Sequence, residues 1–232
     1  MASFPVDLSS LQKLKMGVFR NKVMWNASNL STKTSKIMKT LLFSLITLTF
    51  LFQPTLQSQE YTIDASHSAV LMKVKRFGVV NVVGRFGEVA GTITYDPNDI
   101  TNTQMDIAVT VDSYTANNPG GEESARGPAF LDAANHPNLS FTLTKTMERD
   151  GKTILVGDIT IKGTTKEIEF PAELIGPALD LPTRKQSIAL SCMMVINRLD
   201  FNVGPTQTLK NGTEIIGNRV EISLELLGIA SN

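Results

Sequence analysis

Few side chains in this 232-residue chain could do chemistry. The only imidazoles are His67 and His136. His67 lies in Asp64-Ala65-Ser66-His67-Ser68, so a serine nucleophile beside a histidine base is one reading. Triads are assembled by tertiary geometry rather than by sequence adjacency, and no Gly-x-Ser-x-Gly elbow is present. A zinc centre needs three or four ligands at defined spacing, whereas this chain has no His-x-His pair and a single cysteine, Cys192. One cysteine also excludes an intrachain disulfide. Gly84-Arg85-Phe86-Gly87 and Gly157 to Gly163 are glycine-rich, but β-type residues surround them and neither opens a helix, as a phosphate cradle requires. The expectation is no catalytic residue, no metal and no cofactor. His67 and His136 are then turn or strand-end residues, with a hydrolase using His67 as the enzymatic alternative.

The elements that would position any site are short alternating segments with turn residues between them. Val70, Met72 and Val74 alternate with Leu71, Lys73 and Lys75, and Met105, Ile107, Val109 and Val111 alternate with more polar partners. Such period-two patterns mark half-buried strands. Further strands are predicted at 61–64, 82–86, 89–95, 154–162, 166–175, 187–196 and 214–227, with a hairpin at Arg149-Asp150-Gly151-Lys152 and a loop over Gly176 to Gln186. Glu122 to Ala134 is rich in Ala, Glu and Arg and reads as one short helical segment. Asn135-His136-Pro137-Asn138 stops it, because proline disfavours helical backbone in the residue before it. Leu139, Phe141 and Leu143 then open another strand. A helical plug feeding directly into a sheet could close or line a cavity. Many short, evenly spaced strands suggest a sandwich or barrel, and the strand lengths favour a barrel.

The N-terminus is set apart from the fold. Met38-Lys39, the apolar run Leu41 to Phe52 and a polar exit near Ser58 have the form of a secretory signal peptide over 38–58. The apolar run is shorter than the roughly 20 residues of a spanning helix. Residues 1–37 are basic and aperiodic; they read as a start placed too early, with an extended basic leader as the alternative. Of the 22 basic and 22 acidic residues, seven and one respectively fall before residue 59, leaving a mature chain near −6. An acidic domain without a basic cluster points away from nucleic acid. A periplasmic or secreted location with no membrane span in the mature chain is expected.

Val70, Met72, Val74, Ile107, Val109, Ile159, Ile161, Met193 and Val195 are assigned to the inward faces of their strands. Periodicity alone leaves two readings open, an ordinary filled core and a tunnel for a long apolar ligand. Several segments together resemble the YceI-like family of exported polyisoprenoid-binding proteins. They are Tyr61-Thr-Ile-Asp-Ala-Ser-His67-Ser68, Val83-Gly84-Arg-Phe86 through Gly91-Thr-Ile-Thr-Tyr-Asp96, and Phe130-Leu-Asp132 through His136-Pro137-Asn-Leu-Ser-Phe141. Val156-Gly157 through Gly163-Thr-Thr-Lys166 and Asn197-Arg198-Leu-Asp200-Phe201 complete the set.

The resemblance implies an all-β chain over 60–232, an extended antiparallel lipocalin-like β-barrel of about eight strands. It implies an apolar tunnel that binds, transports or stores a long isoprenoid lipid, of the isoprenoid quinone or polyprenyl phosphate class, without catalysis. Phe86, Phe130, Phe141 and Phe201 join the expected lining through the matched motifs. Arg76 stands where the family often has histidine, and Glu123-Ser-Ala-Arg-Gly-Pro128 departs from its usual Arg-Asp pattern. Arg76 and Arg126 are the candidate headgroup contacts, since a guanidinium pairs bidentately with phosphate. A homodimer is compatible with this reading. The alternative function is a stress- or surface-related protein-interaction module whose barrel core is filled.

Overall fold

The computed structural model describes residues 58–231. Eleven strands run in order: β1 (Gln59–Ile63), β2 (Ala69–Arg76), β3 (Val80–Phe86), β4 (Val89–Tyr95), β5 (Gln104–Thr110) and β6 (Tyr114–Thr115), then β7 (Asn138–Arg149), β8 (Lys152–Ile161), β9 (Thr164–Asp180), β10 (Lys185–Asn197) and β11 (Ile216–Ala230). One α-helix, α1 (Pro119–Arg126), separates β6 from β7.

Pairing reduces these strands to eight staves of a closed antiparallel meander. β11 pairs with β2 through Val220↔Val74 to Glu225↔Ala69, and with β1 through Tyr61↔Ala230 to Ile63↔Gly228. β1 and β2 are therefore one stave, interrupted by a 3-10 turn at Ala65–His67. Likewise β3 and β4 form one stave against β2 and β1, and β5 and β6 form the next against β4 and β3. β7 to β11 follow in sequence order, and β11 returns to β1. Closure leaves no continuous sheet edge to template association.

A meander barrel places alternate connections at opposite ends. The lower end carries the chain termini of the barrel, the β4–β5 turn and the β7–β8 and β9–β10 hairpins. Its interior is packed solid: Tyr61, Ile93, Leu155 and Ile188 are at most 2% exposed. The upper end carries the β2–β3 and β8–β9 hairpins and two long segments, residues 116–137 and 198–215. The sheet is also less complete there. β6 reaches only Arg85 and Phe86 of β3, and the β9–β10 ladder stops at Cys192↔Ala172.

Local chemistry explains the tight turns. Asp150-Gly151 and Lys162-Gly163 both have positive φ at two successive residues, the conformation that matches strand twist in a two-residue hairpin. The helix lies earlier than the sequence suggested. Asn118 accepts from the Gly121 amide, and Pro119 supplies a first-turn residue that needs no amide partner. Gly127-Pro128 ends the helix, so 127–135 is a series of turns. The expected loop at 176–186 is also corrected: β9 runs on to Asp180 and β10 starts at Lys185. Pro177 is tolerated because the β9–β10 register shifts between Ser187 and Ala189, beside Gly176.

Candidate functional site

The upper half of the barrel encloses a cavity of about 620 Å³. Its wall is built by strand alternation. Val70, Met72 and Val74 from β2 face Val220, Ile222 and Leu224 from β11, while Ile107 and Val109 from β5 stand beside Phe141 from β7. Ile159 and Ile161 from β8 continue the wall. The cover is the segment after β6, which contributes Ala125, Phe130 and Leu131. Phe201, in the 3-10 turn after β10, adds a second cover.

Two missing side chains make room for aromatic rings in this wall. A Cβ at Gly84 would lie 2.2 Å from the Tyr114 ring, and one at Gly157 would lie 2.5 Å from Phe141. Tyr114 then packs on Phe86 at 5.2 Å between centroids, and Phe141 on Phe170 at 5.5 Å, both tilted. These glycines, glycine-rich in sequence but opening no helix, are seats for rings.

Polar groups on the wall are few, and most are already engaged. The Tyr114 hydroxyl donates to the Met72 sulfur at 3.4 Å, and burial raises its pKa with help from the nearby Glu122 charge. Burial pushes the Cys192 thiol up to about 12, so it is an un-ionised wall residue. The Arg198 guanidinium, 4% exposed, donates to the carbonyls of Val203, Pro205, Ile216 and Gly217 at 2.6–3.1 Å. Desolvation lowers its pKa. It has no carboxylate at ion-pair distance among the described residues, and instead pins the 198–217 segment over the barrel. Arg76 is exposed at the cavity rim with its guanidinium 4.3 Å above the Phe77 ring. The other exposed wall residues, Asn118, Gly120, Gly121 and Ser124, belong to the start of α1 or its cap, so the mouth lies between that helix and the end of β2.

Eleven of the thirteen apolar residues assigned from sequence stand on this wall: Val70, Met72, Val74, Phe86, Ile107, Val109, Phe130, Phe141, Ile159, Ile161 and Phe201. Met193 and Val195 do not. They are 61% and 44% exposed on the outer face of β10, and Leu190, Cys192, Met194 and Ile196 point inward. The run Met193-Met194-Val195-Ile196 is apolar at every position, so alternation within it carries no parity. Ser191 and Ser187, which precede Met193 on the same face of β10, carry the missing signal. The inward residues of β11 also went unassigned, although Glu221, Ser223 and Glu225 mark its outer face.

Arg126 is not at the wall either. Its Nη1 donates to the Asp112 and Tyr114 carbonyls, tying α1 to the 3-10 turn and short strand before it. Arg76 is at the rim as expected. The two histidines are away from the cavity. His67 Nδ1 lies 2.7 Å from Asp64, whose hydrogen bond raises the imidazole pKa on the barrel surface. Neighbouring Ser68 is 2% exposed, donates to the Asp64 carbonyl and accepts from the Leu227 amide, so its hydroxyl locks backbone rather than facing the imidazole. His136 packs over Gly163 in the β8–β9 hairpin. No group of three potential metal ligands occurs among the described residues. No helix among them is long and apolar enough to cross a membrane. The expected signal segment, 38–58, and the extension 1–37 lie outside the described residues, apart from Ser58 itself.

Comparison with known proteins places this geometry among relatives. A family model described as the YceI-like domain matches residues 61–227. A UPF0312 protein of Vibrio vulnificus is 31% identical over 147 residues, covering 62% of this chain and 77% of that protein. A UPF0312 protein of Shewanella denitrificans is 26% identical over 145 residues, covering 61% and 76%. Among solved structures, Burkholderia cenocepacia BcnA superposes with a TM-score of 0.62 at 20% identity, covering 71% of this chain and 98% of its own. A polyisoprenoid binding domain from Saccharophagus degradans, implicated in plant cell wall breakdown, superposes with a TM-score of 0.57 at 13% identity, covering 75% and 99%. At those identities the superpositions establish a shared fold.

Proposed function

This chain belongs to the YceI-like family, and from that membership and its cavity we propose that it binds and carries a long isoprenoid lipid without transforming it. The observation that carries the reading is a cavity of about 620 Å³ walled by aliphatic and aromatic side chains inside a closed barrel. Such a volume is within the roughly 300–1,000 Å³ of small-molecule sites. Isoprenoid tails have almost no hydrogen-bonding groups, so their affinity must come from apolar area removed from water, worth roughly 25 cal/mol per Å². A wall whose few polar groups are mostly hydrogen-bonded within the protein, as Tyr114 and Arg198 are, suits that demand, since little buried polarity is left unpaired when an apolar chain enters. The polyisoprenoid binding domain among the structural neighbours supports the same ligand class.

The headgroup would sit at the mouth, where Arg76 is the exposed cation on the rim and a quinone or phosphate could reach water. Export through the signal segment at 38–58 belongs to this reading and gives a periplasmic or secreted carrier. The test is mass spectrometry of an organic extract from the protein purified without detergent from its own compartment. One polyprenyl or quinone species at near one per chain is the expected result. No bound lipid, together with no uptake of offered prenyl lipids, would overturn the carrier reading.

A further inference from the structure

We propose that the β2–β3 hairpin is a docking tip that seats the cavity mouth on a lipid bilayer bearing anionic headgroups. The inference rests on the carrier reading and adds where the cargo enters.

The tip is unusually apolar for a solvent-facing turn. Val79 is 82% exposed, more than any other large apolar residue described, and Val80 and Val83 are 54% and 55% exposed. Scattered exposed apolar residues are ordinary, but Val79 and Val80 are adjacent at one projecting point, which marks a contact surface, whereas Val83 lies farther along β3 on the face opposite the wall residue Val82. The tip does project: from Val80 to Gly84, β3 has β2 as its only ladder neighbour, because β6 pairs only with Arg85 and Phe86. Its fold is nevertheless defined. Phe77 and Gly78 hold positive φ, the Phe77 amide donates to the Ile215 carbonyl at 2.9 Å, and the Val79 amide donates to that of Arg76 at 3.1 Å.

Continuity with the cavity selects a bilayer as the occupant. Arg76, Phe77 and Val82 line the cavity wall, and Val79 and Val80 lie between them in the chain on the outside. The wall residues Phe77 and Val82 therefore lead directly through the mouth onto the tip, with Arg76 beside them at the rim. A prenyl chain leaving acyl tails would follow this surface and never cross water. Charge points the same way. Lys75 and Arg76, at the base of the tip, have no carboxylate at ion-pair distance among the described residues. The neighbouring Lys73 and Arg219 share one, Glu221. Around the tip Lys73, Lys75, Arg76 and Arg219 outnumber Glu214 and Glu221, and an apolar point beside such a cationic excess is the pattern of a reversible interfacial contact, with the side chains entering at headgroup depth and the cations meeting anionic lipid. Two valines at the turn and two unpaired cations give weak docking, which a carrier that must also leave the membrane requires.

The experiment is co-sedimentation with phosphatidylcholine vesicles, with and without phosphatidylglycerol, at low and high salt. In parallel, farnesol delivered from cyclodextrin measures cavity binding without a membrane. Wild type should bind the anionic vesicles and lose that binding in high salt, where surface charge is screened. Val79→Asp should weaken vesicle binding by about tenfold, the order expected from removing one buried valine. Lys75→Glu should weaken it by about tenfold at low salt only. Both should keep wild-type farnesol uptake and thermal stability, since neither residue is on the wall. Vesicle binding unchanged in Val79→Asp, or no vesicle binding by a wild type that takes up farnesol, would overturn the docking tip and leave the carrier reading standing. Loss of a dimer in Val79→Asp without change at the membrane would assign the tip to a second copy instead and equally overturn it. Tip-dependent vesicle binding without any farnesol uptake would count against the carrier reading.

Discussion

The two ends of this barrel are made from the same kind of residue in the same alternating pattern, yet one is solid and the other hollow. At the lower end Tyr61 and Ile188 meet over Gly228, where a Cβ would lie 3.0 Å from one and 3.2 Å from the other. Short turns close that end, and its side chains fill the interior. At the upper end β6 is only two residues long, the β9–β10 ladder stops at Cys192, and segments 116–137 and 198–215 span what the strands leave open. Side chains there reach inward from the wall and meet space. Apolar alternation specifies which face of a strand is inside. How distant staves close around that inside specifies whether it is filled.

The largest test of this contrast introduces the same charge at both ends. Ile93→Asp buries a carboxylate in the packed end, where it has neither water nor a partner, and should leave the protein unfolded. Val109→Asp places it on the cavity wall, where water can follow, so a folded barrel should persist by circular dichroism while prenyl-lipid uptake falls at least about tenfold. If both variants fold, or neither does, the two ends do not differ as described.

Truncation sharpens the comparison at smaller cost. Leu155→Ala at the packed end should lower unfolding stability by about 2–5 kcal/mol, because a close-packed neighbourhood cannot collapse around the void. Ile222→Ala on the cavity wall should lower it by only about 1 kcal/mol, since part of that side chain already faces space. Denaturant unfolding of the two variants measures the difference, and equal losses would mean the upper end is as tightly packed as the lower. The smallest effect is chemical. Cys192, held un-ionised with its pKa near 12, should be alkylated at least about a hundredfold more slowly in the native protein than after denaturation. Bound lipid should slow it further. Native labelling at the denatured rate would mean the wall is open to water at β10.

Most of the barrel was legible because period-two alternation and turn chemistry are local. Asp150-Gly151, the strand Val89–Tyr95 and the inward set on β2, β5 and β8 are where sequence reasoning expected them. Its failures have identifiable causes. The inward assignment of Met193 and Val195 fails because a four-residue apolar run has no internal parity, and only Ser187 and Ser191 outside the run resolve it. The helix starts before the Ala- and Glu-rich stretch because Asn118 caps it and Pro119 opens it, a signal that composition over 122–134 does not contain. Arg126 was offered to a headgroup on charge alone, whereas its position in α1 aims it at the carbonyls of Asp112 and Tyr114.

Sequence by itself determined an all-β chain, the approximate strands, the inward faces of most of them and the scarcity of groups able to do chemistry. Each of these depends on residue type within a window of about ten positions, the range over which backbone periodicity and turn preference act. Tertiary structure alone decided that β1 and β2 share one partner, that eleven segments close into eight staves, and that Gly84 and Gly157 are seats for Tyr114 and Phe141. It alone decided that the core is full at one end and empty at the other. A cavity is a difference between the volume a closed sheet encloses and the volume its side chains occupy, and the enclosed volume exists only once distant strands have paired.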